Sequence, residues 1–152
     1  MTKVLYYDSP IGLVEIHSEK EKIVELNFKE SKGYQEESNS VLLKAKKQLD
    51  EYFKGERKAF ELPLRIEGTE FQKNVWEQLL KIPYGNTLSY KKVAEAIGND
   101  KAYRAVGNAN NKNSIPIIIP CHRVIASNGD LGGYGAGIWR KKWLLQHERG
   151  NR

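Results

Sequence analysis

The chain has 152 residues, 39% of them hydrophobic and 29% charged, with one cysteine. That suits one ordinary globular domain or two small ones. It excludes an internal disulfide, and no apolar run approaches a membrane span. The net charge of +6 is uneven: residues 1–68 hold 12 Lys+Arg against 13 Asp+Glu (−1), and residues 69–152 hold 13 against 6 (+7). A neutral half joined to a basic half suggests that the second half meets a polyanion; a solvated lysine-rich surface is the other reading.

In chain order, Val4-Leu5-Tyr6-Tyr7 and Leu13-Val14-Glu15-Ile16 predict a hairpin across the turn chemistry of Asp8-Ser9-Pro10-Ile11-Gly12. Ile23 to Phe28 alternates and predicts a third strand. Residues 29–40 are polar and read as a mobile connection. Apolar residues at 41, 42, 45, 49, 52 and 53 have helical spacing, and Gly55 ends that helix. Glu15 and His17 read as ordinary strand-face residues. The expected organisation is a supporting α/β unit over 1–68 and a mainly helical unit over 69–152.

In the second half, Thr69-Glu70-Phe71-Gln72 fits a capping box opening a helix to about Lys81. Ser89 is a good N-cap for a helix to about Ile97, and Lys101 to about Asn108 reads as a third. Two short helices joined by the turn Gly98-Asn99-Asp100 match a helix-turn-helix. The third helix carries Ala102, Ala105 and Ala109, with Arg104 projecting; its polar residues favour a DNA-facing helix over a closely packed core helix. Leu131 to Gly137 holds four glycines around Tyr134, which lets backbone approach a flat ligand closely. It lacks the pattern of a nucleotide-phosphate loop. Ile138 to Glu148 is the last helix, with Trp139, Trp143, Leu144 and Leu145 apolar and Arg140, Lys141 and Lys142 outward.

The stretch with chemistry in it is Pro116-Ile117-Ile118-Ile119-Pro120-Cys121-His122-Arg123-Val124-Ile125. It predicts a short buried extended run, stiffened by prolines, that surfaces at its polar end. A lone cysteine is ordinarily a small buried hydrophobe. Here His122 and Arg123 adjoin it, and such groups raise a thiolate fraction. His147-Glu148 can orient a base from a distance. No Cys/His cluster has zinc spacing, so no metal is expected.

Pro120-Cys121-His122-Arg123-Val124 resembles the acceptor motif of the O6-alkylguanine-DNA alkyltransferases. Tyr84-Gly85, Ser89-Tyr90, Arg104-Ala105-Val106-Gly107, Asn113, Pro116, Gly133-Tyr134, Trp143-Leu144-Leu145 and His147-Glu148 agree with it, over about Phe71 to Glu148. The resemblance implies an α+β fold: a ribonuclease-H-like N-terminal unit, antiparallel sheet plus helix, and a winged-helix-like C-terminal domain. It implies methylated-DNA–protein-cysteine S-methyltransferase activity. One alkyl group passes irreversibly from O6-alkylguanine, less well from O4-alkylthymine, to Cys121, after base flipping through the minor groove. His122, Glu148, Tyr90 and Asn113 would join Cys121 in catalysis, with Asn113 as hinge. Tyr90, Val124, Tyr134 and Gly135 would hold the base. Arg104 would fill the gap left by the base, with Lys91, Asn99, Ala102, Tyr103, Ser127 and Gln72 on the DNA. Ala136 departs from the usual glycine, which bears on pocket width. No cofactor is implied, and the expected partner is double-stranded DNA met by a cytoplasmic monomer. Two other readings stay open: a non-enzymatic lesion binder of the alkyltransferase-like kind, against which Cys121 itself counts, and a cysteine hydrolase.

Overall fold

The computed structural model describes residues 2–152. The chain divides into two compact units, Met1–Ile66 and Glu67–Arg152. In the first, β1 (Thr2–Ser9), β2 (Gly12–Glu19) and β3 (Lys22–Lys29) form an antiparallel sheet in the order β1-β2-β3. Alternation sets the two faces. Leu5, Tyr7, Val14, Ile16 and Leu26 share one, and α1 (Ser40–Phe53) covers it with Leu42, Ala45 and Leu49. Asn39 caps α1 by accepting from the Leu42 N–H at 2.8 Å.

The second face is polar yet buried. The Tyr6 hydroxyl donates to Glu15 at 2.6 Å, and His17 Nε2 meets the other Glu15 oxygen at 2.6 Å. Both are strand-face residues as expected, and they are buried: Glu15 is 2% exposed and His17 7%. The connection expected to be mobile is pinned above them. The Gly33 and Tyr34 N–H groups donate to the Tyr6 hydroxyl, and Glu37 N–H donates to the Val4 carbonyl. These bonds satisfy backbone groups that a loose loop would leave to water.

In the second unit, α2 (Glu70–Leu79) opens on Thr69, whose reciprocal bonds with Gln72 complete the capping box. β4 (Leu88–Ser89) leads into α3 (Tyr90–Ala96), capped by Ser89. α4 (Tyr103–Asn111) starts two residues later and ends three later than expected, because Asn99 and the Asp100–Ala102 turn precede it. A 3-10 turn over Cys121–Arg123 leads into β5 (Val124–Ile125), which pairs parallel with β4. α5 (Ile138–Gly150) closes the chain. Val75, Leu79, Val93, Val106, Val124 and Leu144 are all 0% exposed and form the centre of this core.

Candidate active site

Cys121 ends a tight fold of chain rather than an extended run. Ile119 N–H donates to the Ile115 carbonyl and Ile118 N–H to Pro116. Ile117 takes φ +72°, unusual for a β-branched residue, and its 1% exposure shows that packing holds it there. Asn113 closes this fold: its Nδ2 donates to the Ile119 carbonyl at 2.8 Å while its Oδ1 accepts from Ile115 N–H at 3.0 Å. The polar end does not surface. Cys121, His122 and Arg123 are 4%, 0% and 6% exposed.

Buried polar groups need partners, and Glu148 from α5 supplies them. His122 Nε2 lies 2.7 Å from Glu148 Oε2, and Arg123 forks onto both oxygens at 2.8 and 3.0 Å. Gly85 N–H adds a fourth contact at 3.3 Å, and Arg123 Nη1 donates to the Ile82 carbonyl. Burial alone would push the Glu148 carboxyl up; the bonds from His122 and Arg123 overcome this and hold it well below the usual range. Burial lowers the His122 pKa, outweighing Glu148. A neutral imidazole beside a firm carboxylate donates through Nε2 and keeps a lone pair on Nδ1. His122 Nδ1 is buried without a hydrogen-bond partner among the described residues.

Arg123, expected to activate the thiol, is spent on Glu148. The cation that serves Cys121 is Lys141, expected to point outward and in fact 0% exposed. Residues 141, 144, 145 and 148 form one helical stripe, and Leu144, Leu145 and Glu148 bury it. That i, i+3, i+4, i+7 pattern is the signal that finds Lys141 in the sequence. Its ammonium donates to the Val124 carbonyl at 2.6 Å and to Gly133 at 3.1 Å, and lies 3.5 Å from the Tyr90 hydroxyl. Trp139, expected on the apolar side, is 55% exposed and stacks beneath Arg140, 4.5 Å from its ring centroid.

Burial pushes the Cys121 thiol up to about 11; Asn113, Lys141 and Tyr134 pull it back only in part. Burial, with Cys121 beside it, likewise keeps the Tyr134 hydroxyl protonated. The glycine-rich loop crosses Tyr90 and the end of α4. A Cβ on Gly132 would collide with the Tyr90 hydroxyl, and Gly133 lies against the Asn111 side chain. The Cys121 carbonyl accepts from Val124 N–H and from Asn110 Nδ2 at 3.2 Å. Asn110, 1% exposed, was not singled out in the sequence.

Cys121, His122, Glu148, Val124 and Tyr134 are thus buried in one constellation, with Tyr90 and Asn113 half-buried at it and Gly135 in the loop beside it. The expected DNA contacts lie elsewhere. Arg104 and Tyr103 are exposed and in mutual contact on α4, and Lys91, Asn99 and Ser127 are exposed. Ala102 is half-buried ahead of α4, and Ala109 faces the core while Ala105 faces out. Gln72 is engaged in its capping box.

Residues 70–150 match the family described as 6-O-methylguanine DNA methyltransferase, DNA binding domain, and residues 3–66 match its ribonuclease-like domain. The methylated-DNA–protein-cysteine methyltransferase of Methanosarcina barkeri is 46% identical over 156 residues, covering 97% of this chain and 99% of that protein. The constitutive methylated-DNA–protein-cysteine methyltransferase of Bacillus subtilis is 44% identical, covering 93% and 92%. The crystal structure of Mycobacterium tuberculosis O6-methylguanine methyltransferase superposes with a TM-score of 0.91 at 41% identity, covering 100% of this chain and 95% of that one. The structure of Mycobacterium tuberculosis OGT in complex with DNA gives a TM-score of 0.89 at 42% identity, covering 99% and 93%.

Proposed function

The chain belongs to the 6-O-methylguanine DNA methyltransferase family, and from that premise we propose how its own residues perform direct-reversal repair of alkylated DNA. The observation that carries the mechanism is the buried row Cys121, His122, Glu148, in which Glu148 accepts from His122 Nε2 and leaves Nδ1 as the base.

A thiol held near 11 is almost wholly protonated at neutral pH, so reaction needs a base in place. The thiol proton passes through a water to His122 Nδ1, and Glu148 stabilises the imidazolium that forms. The thiolate attacks the alkyl carbon of O6-alkylguanine. The S–C bond forms as the C–O6 bond breaks, and the electron pair leaves on guanine. Tyr90 donates toward the negative charge developing on the base, and Lys141, beside its hydroxyl, favours that orientation. The Tyr134 loop covers the base, with the Gly135 N–H toward O6. Nothing in this scheme cleaves the thioether, so each molecule acts once. Arg104, exposed at the start of α4, fills the place of the extruded nucleotide, while Lys91, Asn99, Tyr103 and Ser127 hold the backbone of the duplex. The protein acts as a monomer in the cytoplasm; among the described residues no helix is long and apolar enough to cross a membrane.

Intact-mass analysis after incubation with duplex DNA containing O6-methylguanine tests this. One added methyl, mapped to the Cys121 peptide and absent in Cys121→Ser, is the expected result. An unmodified Cys121 beside depleted lesion would refute the assignment.

A further inference from the structure

Three buried polar atoms without a hydrogen-bond partner among the described residues belong to residues that flank Cys121: His122 Nδ1, the Tyr134 hydroxyl and Asn110 Oδ1. The first is the base of the alkyl transfer above, and the second lies beside the Cys121 thiol. The third has no place in that transfer. Asn110 sits on α4, 1% exposed, and its Nδ2 donates to the Cys121 carbonyl at 3.2 Å. Its Oδ1 is carried on the same amide carbon as the Nδ2 that bonds the Cys121 peptide. A buried acceptor left unmatched is costly, and a leucine would fill this space without that cost. The amide therefore calls for a reason beyond packing.

We propose that Asn110 is a positioning residue of the reaction: its Oδ1 is the third anchor of the water that carries the Cys121 proton to His122. This rests on the alkyl transfer proposed above. The hydrogen-bond count closes. A water has two hydrogens to give and accepts readily from a thiol. It gives one hydrogen to His122 Nδ1 and the other to Asn110 Oδ1, and it accepts from Cys121 Sγ–H. When the reaction starts, the thiol proton moves onto the water oxygen and the water's own hydrogen moves onto Nδ1. The S–H and water O–H bonds break, a new O–H and an N–H form, and thiolate and imidazolium result. Asn110 exchanges no proton. It fixes the water's orientation, while Nδ2 fixes the acceptor peptide that the water serves. One side chain of the helix that carries Arg104 thereby holds both the nucleophile's backbone and its proton path.

The test is single-turnover methyl transfer from O6-methylguanine duplex by Asn110→Leu and Asn110→Ala, followed across pH. Leucine fills the space, and alanine guards against steric misfolding by the first variant. Each variant is expected to transfer about tenfold more slowly near neutral pH, an order set by general-base contributions. The gap should narrow as pH rises, because hydroxide then removes the thiol proton without the relay. DNA affinity, measured in a Cys121→Ser background, is expected to stay unchanged. A loss of the same size at every pH, or no loss, overturns the role of Asn110. Absence of transfer by the wild-type protein would instead overturn the alkyl-transfer reading on which it rests.

Discussion

Glu148→Gln removes one charge and almost no volume from the centre of the site. The carboxylate is 1% exposed and takes N–H groups from His122, Arg123 and Gly85. The amide replaces one acceptor oxygen with a donor that faces Arg123 or His122, and it leaves the guanidinium, itself 6% exposed, without a counter-charge. Breaking a buried pair from one side costs about 3–5 kcal/mol, a large part of a domain's ~5–15 kcal/mol. The melting temperature should fall by more than ~10 °C. Trp76, Trp139 and Trp143 all lie in Glu67–Arg152, so tryptophan fluorescence follows that unit alone. The acid limb gives a second readout. The folded Glu148 pKa lies below its ordinary value of 4.5, so its stabilisation is full above pH 4.5. Below that the unfolded chain takes up a proton that the folded protein refuses, and stability is lost as pH falls. Glu148→Gln lacks this limb, and its urea midpoint should fall less with acid than that of the wild type. Methyl transfer should slow by about a hundredfold or more, since His122 loses the group that fixes its tautomer. A variant within ~1 kcal/mol of wild type, or one with the wild-type acid limb, would refute the argument.

Lys141→Met is expected to slow transfer by at least about tenfold, measured by single-turnover kinetics, because Cys121 loses its cation and the Val124 and Gly133 carbonyls lose their donor. Burial lowers the folded Lys141 pKa to about 8 from 10.5, so wild-type stability gains from this group between those values as pH rises. Urea melts should show that gain missing in the variant. Arg104→Ala should slow repair in duplex DNA more than transfer from the free modified base, since extrusion costs a few kcal/mol only in the duplex; equal slowing would make Arg104 a plain phosphate contact. S-alkylated protein should melt below free protein, more so for larger groups. An added methyl overpacks a site 4% exposed by ~1–3 kcal/mol, next to the strained turn at Ile117; thermal melts at equal salt decide it.

The elements were legible where local chemistry acts alone. Alternation placed the three strands, and the side chains of Thr69, Gln72 and Ser89 placed two helix starts, as the observed caps confirm. The hairpin at Lys20-Glu21 was not legible. Its residues take φ +51° and +59°, a conformation normally signalled by Asn or Gly, and the pairing of Glu19 with Lys22 imposes it. The segment 29–40 failed for a related reason. Its side chains are solvated as their polar composition suggests, yet the Gly33, Tyr34 and Glu37 N–H groups are held by Tyr6 and Val4, which lie far off in the sequence.

The site divides along the same line. Cys121, His122 and Glu148 were legible because their residue types carry the chemistry, whatever the local backbone. Lys141 and Asn110 were not legible from residue type, because a lysine or asparagine in isolation predicts exposure, although helical spacing with Leu144, Leu145 and Glu148 marks Lys141. What buries them is a set of acceptors supplied from elsewhere: the Val124 and Gly133 carbonyls for one, the Cys121 carbonyl for the other. Each of those acceptors belongs to a segment that helical or strand hydrogen bonding leaves incomplete. The 3-10 turn and the glycine-rich loop expose carbonyls inward, and buried carbonyls require donors. The irregular backbone that presents the thiol therefore demands buried cations and amides around it. Burial raises the thiol pKa and Lys141, one of those groups, lowers it in part, which makes the irregularity of residues 115–125 part of the chemistry as well as of the fold.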